Sequence, residues 1–336
     1  MIQKVFIKNY RNINTEDFEI RPLTIFTGLN STGKSSCFFA ILDLMYENKD
    51  LMSLLLLRDY NFSFAANRNR NNSAKEYCVK ITDTNDQTLK MRITQDKKNI
   101  SGNLSLNLED TLFYLSANRL GYNYPAELVS DQFRVGFQGE YLYGTFEKRK
   151  SQKLDDKLIK DNNSYTLSTQ VSYWLSYILK NKFEMHTEKI NDNNIKVSYT
   201  ADGIDNLSPR QLGVGVSYLV KVIIMCLTSN IGDVLMIENP EIHLHPGAQS
   251  RLGEFFAFIA SAGIQILLET HSEHMLDSVQ YQIFKNNLSS QDAVLYYKSN
   301  IEENFIRLDY QNDGHYNKEF PTGFFDATLS ELLELE

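Results

Sequence analysis

Two hydrophobic patterns divide this chain. Near its start, and again after residue 212, short unbroken apolar runs alternate with longer segments of helical spacing. Leu23-Thr24-Ile25-Phe26-Thr27, Val234 to Ile237 and Gln265 to Leu268 are almost continuously apolar, the pattern of strands buried on both faces. Ser36 to Tyr46, Ser217 to Thr228 and Ala248 to Ala260 carry apolar residues at helical spacing. Such alternation predicts an α/β fold with a mainly parallel core sheet. Elsewhere the period is two. Ile2 to Ile7 reads as a strand, turned at Asn9-Tyr10-Arg11-Asn12 into a second near Phe18 to Ile20. Tyr77 to Ile81 and Leu89 to Ile93 predict an antiparallel β-subdomain. Thr111 to Leu115 is a more apolar strand that ends at Ser116-Ala117-Asn118-Arg119. Residues 61–75 have loop composition, and residues 120–205 are tyrosine-rich and irregular with one clear helix, Val171 to Leu179. The division expected is an N-terminal lobe (1–119), an inserted, mostly helical lobe (120–212), a C-terminal lobe (213–290) and a tail (291–336).

The first apolar strand runs into Gly28-Leu29-Asn30-Ser31-Thr32-Gly33-Lys34-Ser35, and a helix follows. A loop between a strand's carboxyl end and a helix N-terminus aims backbone N–H groups and the positive helix end at one spot, where a polyphosphate binds. Gly28, Asn30, Ser31, Thr32, Gly33, Lys34, Ser35 and Ser36 are therefore candidate nucleotide contacts. Lys34 would reach the β- and γ-phosphates, and the Ser35 hydroxyl would ligate Mg²⁺.

The second apolar strand ends in Glu238, followed by Asn239-Pro240-Glu241. A carboxylate at that place holds the metal's hydration shell in phosphate-loop enzymes. The third ends in Glu269-Thr270-His271-Ser272, where the His271 imidazole would face a γ-phosphate or an attacking water. His243 and His245 lack the further Cys or His that zinc spacing requires, so capping and packing is the expectation for them.

Composition sets bounds. The 336 residues are 42% apolar and 23% charged, with a formal charge of -8, which argues against indiscriminate coating of nucleic acid. The densest basic cluster, Lys148-Arg149-Lys150 with Lys153, leaves a local DNA contact open, although Asp155, Asp156 and Asp161 dilute it. The most apolar runs, Leu51 to Leu57 and Tyr218 to Leu227, are too short to span a bilayer. Nothing resembles a signal peptide, and three scattered cysteines suggest reduced thiols, so a cytoplasmic protein without membrane contact is expected.

These motifs, in this order, resemble the ABC-type ATPase heads of the SMC, RecF and OLD (overcoming-lysogenization-defect) group. The opening I-K-N-Y-R-N-I resembles that group's early strand and arginine, here Arg11. The loop resembles its G-x-N-x-x-G-K-S form, Glu238 to Pro246 its E-[EN]-P-E-x-H-L-H-P, and Glu269 to His274 its histidine switch. Phe320 to Asp326 resembles a small C-terminal domain of unknown function carried by some of these ATPases. The resemblance implies an ABC-type head that binds ATP and Mg²⁺ and forms a homodimer, or a higher homo-oligomer, around sandwiched ATP. It also implies a signature segment that caps a partner's γ-phosphate. Gly213-Val214-Gly215-Val216-Ser217 fits by position, with Gly213 and Gly215 permitting close backbone approach and Ser217 capping the helix. Leu207 to Gln211 lacks both glycines of the usual signature. Arg11, Asn118 and Arg119, at strand ends, are placed to carry nucleotide occupancy to the 120–205 lobe.

One position departs from the group's pattern. The general base usually follows the metal-binding acid directly, but here that residue is Asn239, which cannot accept a proton. Either Glu241 takes the role or hydrolysis is slow and ATP clamps. The resemblance implies the ATPase and sensor of a bacterial anti-phage defence system, its effector (a nuclease or toxin) a separate protein. The alternatives are a RecF-like DNA-repair clamp and a non-hydrolysing scaffold.

Overall fold

A computed structural model describes residues 1–45, 62–69, 72–119, 126–127 and 133–321. The chain forms two compact units, one of residues 1–105 with 289–336, the other of residues 106–288.

The first unit opens with β1 (Ile2–Tyr10), β2 (Ile13–Glu19), β3 (Leu23–Gly28) and α1 (Lys34–Met45), then β4 (Glu76–Asp83), β5 (Thr88–Thr94) and β6 (Lys98–Gly102). All but β3 join in an antiparallel sheet of order β2-β1-β4-β5-β6, as the two-residue alternation predicts. Each strand of β1 and β2 turns one apolar row inward: Val5, Ile7, Ile13 and Phe18 are buried.

The second unit begins with β7 (Leu112–Leu115), α2 (Leu142–Arg149) and α3 (Leu167–Leu179). β8 (Phe183–Lys189), β9 (Asn194–Ala201) and β10 (Ile204–Leu207) follow, and then α4 (Val214–Thr228), β11 (Val234–Glu238), α5 (Pro246–Ser261), β12 (Gln265–Glu269) and α6 (Glu273–Phe284). β11 lies between β12 and β7, parallel to both, and every residue of β7, β11 and β12 is buried. The segment expected to be mostly helical has its helices, α2 and α3, but also an antiparallel sheet. β9 pairs with β8 along its full length, and with Ala126–Glu127 and β10 on its other edge. Phe183, Met185 and Thr187 alternate inward there, a period that the intervening charged residues obscure in the sequence. Trp174 of α3, fully buried, meets the rings of Phe255 and Phe258 on α5 at 4.9 and 5.2 Å and fixes the two helices to each other.

The chain then returns to the first unit as β13 (Ala293–Lys298), parallel to β3, and β14 (Ile306–Asp309), antiparallel to β13. An edge-to-face cluster of Phe18, Phe26, Phe38, Tyr296 and Phe305, with centroids 4.9–5.9 Å apart, joins β2, β3, α1 and β13. Of the C-terminal motif, residues 322–326 lie outside the described residues, as does the apolar run 51–57. No helix among the described residues is long and apolar enough to cross a membrane.

Helices start earlier than their apolar spacing predicts: α1 at Lys34, α4 at Val214, α5 at Pro246. The first turn of a helix needs no apolar face. It needs its N–H groups satisfied, and Pro246 at the first position with the His245 imidazole accepting from Gly247 N does this for α5.

Helix α4 is apolar almost all round and buries Lys221 with its neighbours. Burial lowers the Lys221 pKa from 10.5 to about 7, outweighing the attraction of Glu140. Between these values the unfolded chain binds a proton the folded chain does not, so this residue makes stability rise with pH across that window. Lys221→Met should raise the thermal unfolding midpoint at pH 7, with a gain that shrinks as the pH approaches 10, measured by calorimetry across that range.

Candidate nucleotide-binding site

The phosphate loop hangs between β3 and α1 and is held from two sides. Gly28 (φ +133°) lies so close to β13 that a Cβ would stand 2.1 Å from the Lys298 carbonyl oxygen, and Leu29 N donates to that oxygen at 3.1 Å. Gly33 (φ +109°) packs against the Asn12 side chain, where a Cβ would come within 2.1 Å of Nδ2. Asn12 Nδ2 donates to the Thr32 carbonyl at 2.7 Å, so the turn between β1 and β2 braces the loop. Ser31 takes a left-handed φ of 62° at the tip, and Leu29, Asn30 and Ser31 are exposed.

Lys34 is 3% exposed, and its Nζ donates to the carbonyls of Gly28 and Leu29 at 3.1 and 2.6 Å. Thr32 Oγ1 donates to the Leu29 carbonyl. Ser36 N is taken by Gly33 O, and Ser35, half-buried, sits in the first turn of α1. The side-chain set is therefore an ammonium and hydroxyls at a helix N-terminus, the chemistry a polyphosphate and its magnesium ion require. Arg11 (φ 49°) lies between the rings of Phe39 and Phe64, 5.1 and 5.2 Å from their centroids, and its amide donates to Ala65 O.

In the second unit, β11 ends at Glu238 and β12 at Glu269, paired in parallel register and both buried. Glu238 Oε2 accepts from Ala117 N at 3.2 Å, and Tyr114 on β7 also bonds its carboxylate. Burial, with Glu238 next, pushes the Tyr114 phenol far up. Asn239 has a left-handed φ of 39°, which asparagine tolerates, and its amide donates to Glu269 O at 2.7 Å.

Glu241 Oε1 accepts the His271 amide at 2.8 Å, tying the turn after β11 to the loop after β12. Its carboxylate is 8% exposed, and burial raises its pKa against the pull of the His271 amide and Arg119. The His271 side chain is exposed. Ser272 caps α6 by accepting from Met275 N and donates to Gln249 Oε1, while Gln249 Nε2 donates to Leu244 O. Sequence reasoning passed over Gln249 and Asn12, whose partners are distant along the chain.

Gly213 is the N-cap of α4, with no Cβ neighbour within 4 Å. At Gly215 a Cβ would stand 2.5 Å from the His243 carbonyl oxygen, so α4 rests directly on the turn after β11. The expected capping by Ser217 is corrected: the helix has already begun three residues earlier, and Ser217 is fully buried, its hydroxyl against Tyr143. His245 caps α5, and the His243 ring lies 5.6 Å from that of Tyr218.

Three members of the basic cluster are engaged within the second unit. Arg149 donates to Thr228 O at the C-terminus of α4 and stacks over Phe133, where the helix dipole favours a cation. Lys150 bonds Glu147 and the Thr187 carbonyl, and Lys153 pairs with Asp156.

Residues 23–277 match the family described as "AAA domain, putative AbiEii toxin, Type IV TA system", and the chain belongs to it. Among solved structures it resembles an SMC head bound to the C-winged helix domain of ScpA (13% identity, TM-score 0.59, covering 92% of this chain and 97% of that one). It also resembles the Smc head with an extended coiled coil bound to the C-terminal domain of ScpA derived from Pyrococcus furiosus (10% identity, TM-score 0.55, 99% of each chain). A third is the SMC head domain from Thermotoga maritima (12% identity, TM-score 0.50, 92% and 99%). At these identities the likeness is one of fold, that of an ABC-type ATPase head. No curated protein matches the chain.

Asn12→Ala removes the brace on the Thr32 carbonyl. It should weaken binding of a fluorescent ATP analogue roughly 3- to 10-fold, the range one such hydrogen bond supports, as read by fluorescence titration.

Proposed function

We propose that this chain is an ATP-hydrolysing switch, the ATPase and sensor subunit of a bacterial anti-phage defence system, acting as a homodimer or higher homo-oligomer on a separate effector. The observation that carries nucleotide binding is the complete phosphate loop, with Lys34 turned into it and Gly28 and Gly33 set in conformations other residues rarely adopt. Lys34 would exchange its two loop carbonyls for the β- and γ-phosphates, and the loop amides would hold the remaining oxygens. Ser35 and Glu238 would hold Mg²⁺, which when bound draws charge off the phosphate oxygens. Glu241 takes the proton of the attacking water in place of Asn239. Burial raises its pKa, which makes the ionised carboxylate a stronger base. His271 orients that water or the γ-phosphate, and Gly213 with Gly215 presents the signature backbone to the nucleotide of a second copy.

The defence role is supported by the family's own description, which names a toxin of a type IV toxin–antitoxin system. The DNA-clamp alternative is disfavoured by the engagement of Arg149, Lys150 and Lys153 with protein groups.

Lys34→Ala should abolish binding of fluorescent ATP. Glu241→Gln should retain it and lose at least 100-fold in kcat, measured by phosphate release; unchanged turnover rules Glu241 out as the base. Glu241→Gln protein recovered from its host in Mg-ATP should carry a nuclease or toxin, and recovery of DNA with recombination proteins instead would favour the clamp.

A further inference from the structure

Arg119 is a charged residue enclosed by the second unit's candidate machinery. It is 2% exposed, at the end of the segment that leaves β7. Its guanidinium donates through Nη2 to the carbonyl of Glu238 and through Nη1 to that of Asn239 at 3.2 Å. These are the two residues at which β11 turns toward Glu241. The same guanidinium lies 5.9 Å from the ring of Tyr218 on α4. Tyr218 in turn meets the His243 ring, and one turn before it Gly215 rests on the His243 carbonyl. Two parts of the unit therefore converge on the side chain of Arg119: the acidic turn and the helix carrying the signature glycines.

A buried guanidinium is a costly way to hold a turn. Arg119 Nε has no hydrogen-bond partner, and burial pulls the pKa down to about 10 against the attraction of Glu241 and Glu238. An apolar side chain of similar volume would serve stability as well or better. What the planar fork supplies is direction: it fixes two successive carbonyls and a ring at once.

Resting on the ATP-switch reading, we propose that Arg119 is a positioning residue that makes the acidic turn and helix α4 move together, so that a second copy docking on Gly213–Val216 resets Glu238 and Glu241. The residue touches no nucleotide itself. It acts by holding the carbonyls of Glu238 and Asn239 while Tyr218 holds its guanidinium.

The test is a double-mutant cycle of Arg119→Ala and Tyr218→Leu on the full chain, with nucleotide affinity and kcat read separately. Each single variant should bind the fluorescent ATP analogue within about 3-fold of wild type while kcat falls at least 30-fold, and the double variant should be hardly worse than either. Millimolar guanidinium should restore kcat of Arg119→Ala several-fold, and methylammonium should not. Additive losses, loss of affinity in step with kcat, or absence of guanidinium rescue would overturn the proposal. Hydrogen exchange of the Asn239–Leu244 and Gly215–Lys221 amides is read in parallel. Arg119→Ala should quicken both segments; quickening of the turn alone counts against coupling. If wild type itself hydrolyses no ATP, the switch reading fails while the exchange measurement still decides the role of Arg119.

Discussion

Strands buried on both faces leave their side chains no water to meet, and that constraint arranges the chemistry of this protein. Residues Leu23 to Gly28, Val234 to Glu238, Gln265 to Glu269 and Ala293 to Lys298 are buried throughout. Within such strands a charge would be desolvated without relief, so polar residues collect where the strands end. Gly28 opens the phosphate loop, Glu238 and Glu269 close their strands side by side, and Lys298 lends its carbonyl to Leu29. The loops after those ends inherit the remaining polar work and bond to one another. Asn239 to Glu269 and Glu241 to His271 are two such bonds, made between turns that never meet along the chain.

What the sequence discloses follows from contiguity. The phosphate loop, the Val234–Glu238 strand with its acid and the Glu269–His271 ending are each complete within a few residues, and their fold and order can be read directly. Asn12 and Gln249 act through a carbonyl and a side chain 20 and 23 positions away, so no local pattern announces them. Arg119 is legible as a residue at a strand end, but its burial and its bonds to carbonyls 119 and 120 positions away are not. Ser217 misleads: it opens the apolar run, but Gly213 with its extended backbone starts the helix. The sheet of residues 183–207 was hidden because its inward row is short and its outward row is strongly charged. Phe183, Met185 and Thr187 against Val197 and Tyr199 give the alternation once the partner strand is known.

Asn239, where the resemblance implies a general base, occupies a backbone conformation that suits it. A left-handed φ at that position suits asparagine better than glutamate, and the turn it allows brings the Asn239 amide to Glu269 and its carbonyl to Arg119. The next carboxylate along the chain after Asn239 is Glu241, two residues on.

The inward turn of Lys34 has a bearing on selectivity. Its ammonium already holds two carbonyl oxygens of its own loop, so a ligand has to displace both before it gains the lysine. Inorganic phosphate has its four oxygens around one centre, so the ammonium and the loop amides must all be met by a single phosphate group. A polyphosphate chain can meet them with more than one. The exchange costs every phosphate ligand the same two bonds, and a ligand that makes more contacts along the loop offsets that cost more fully.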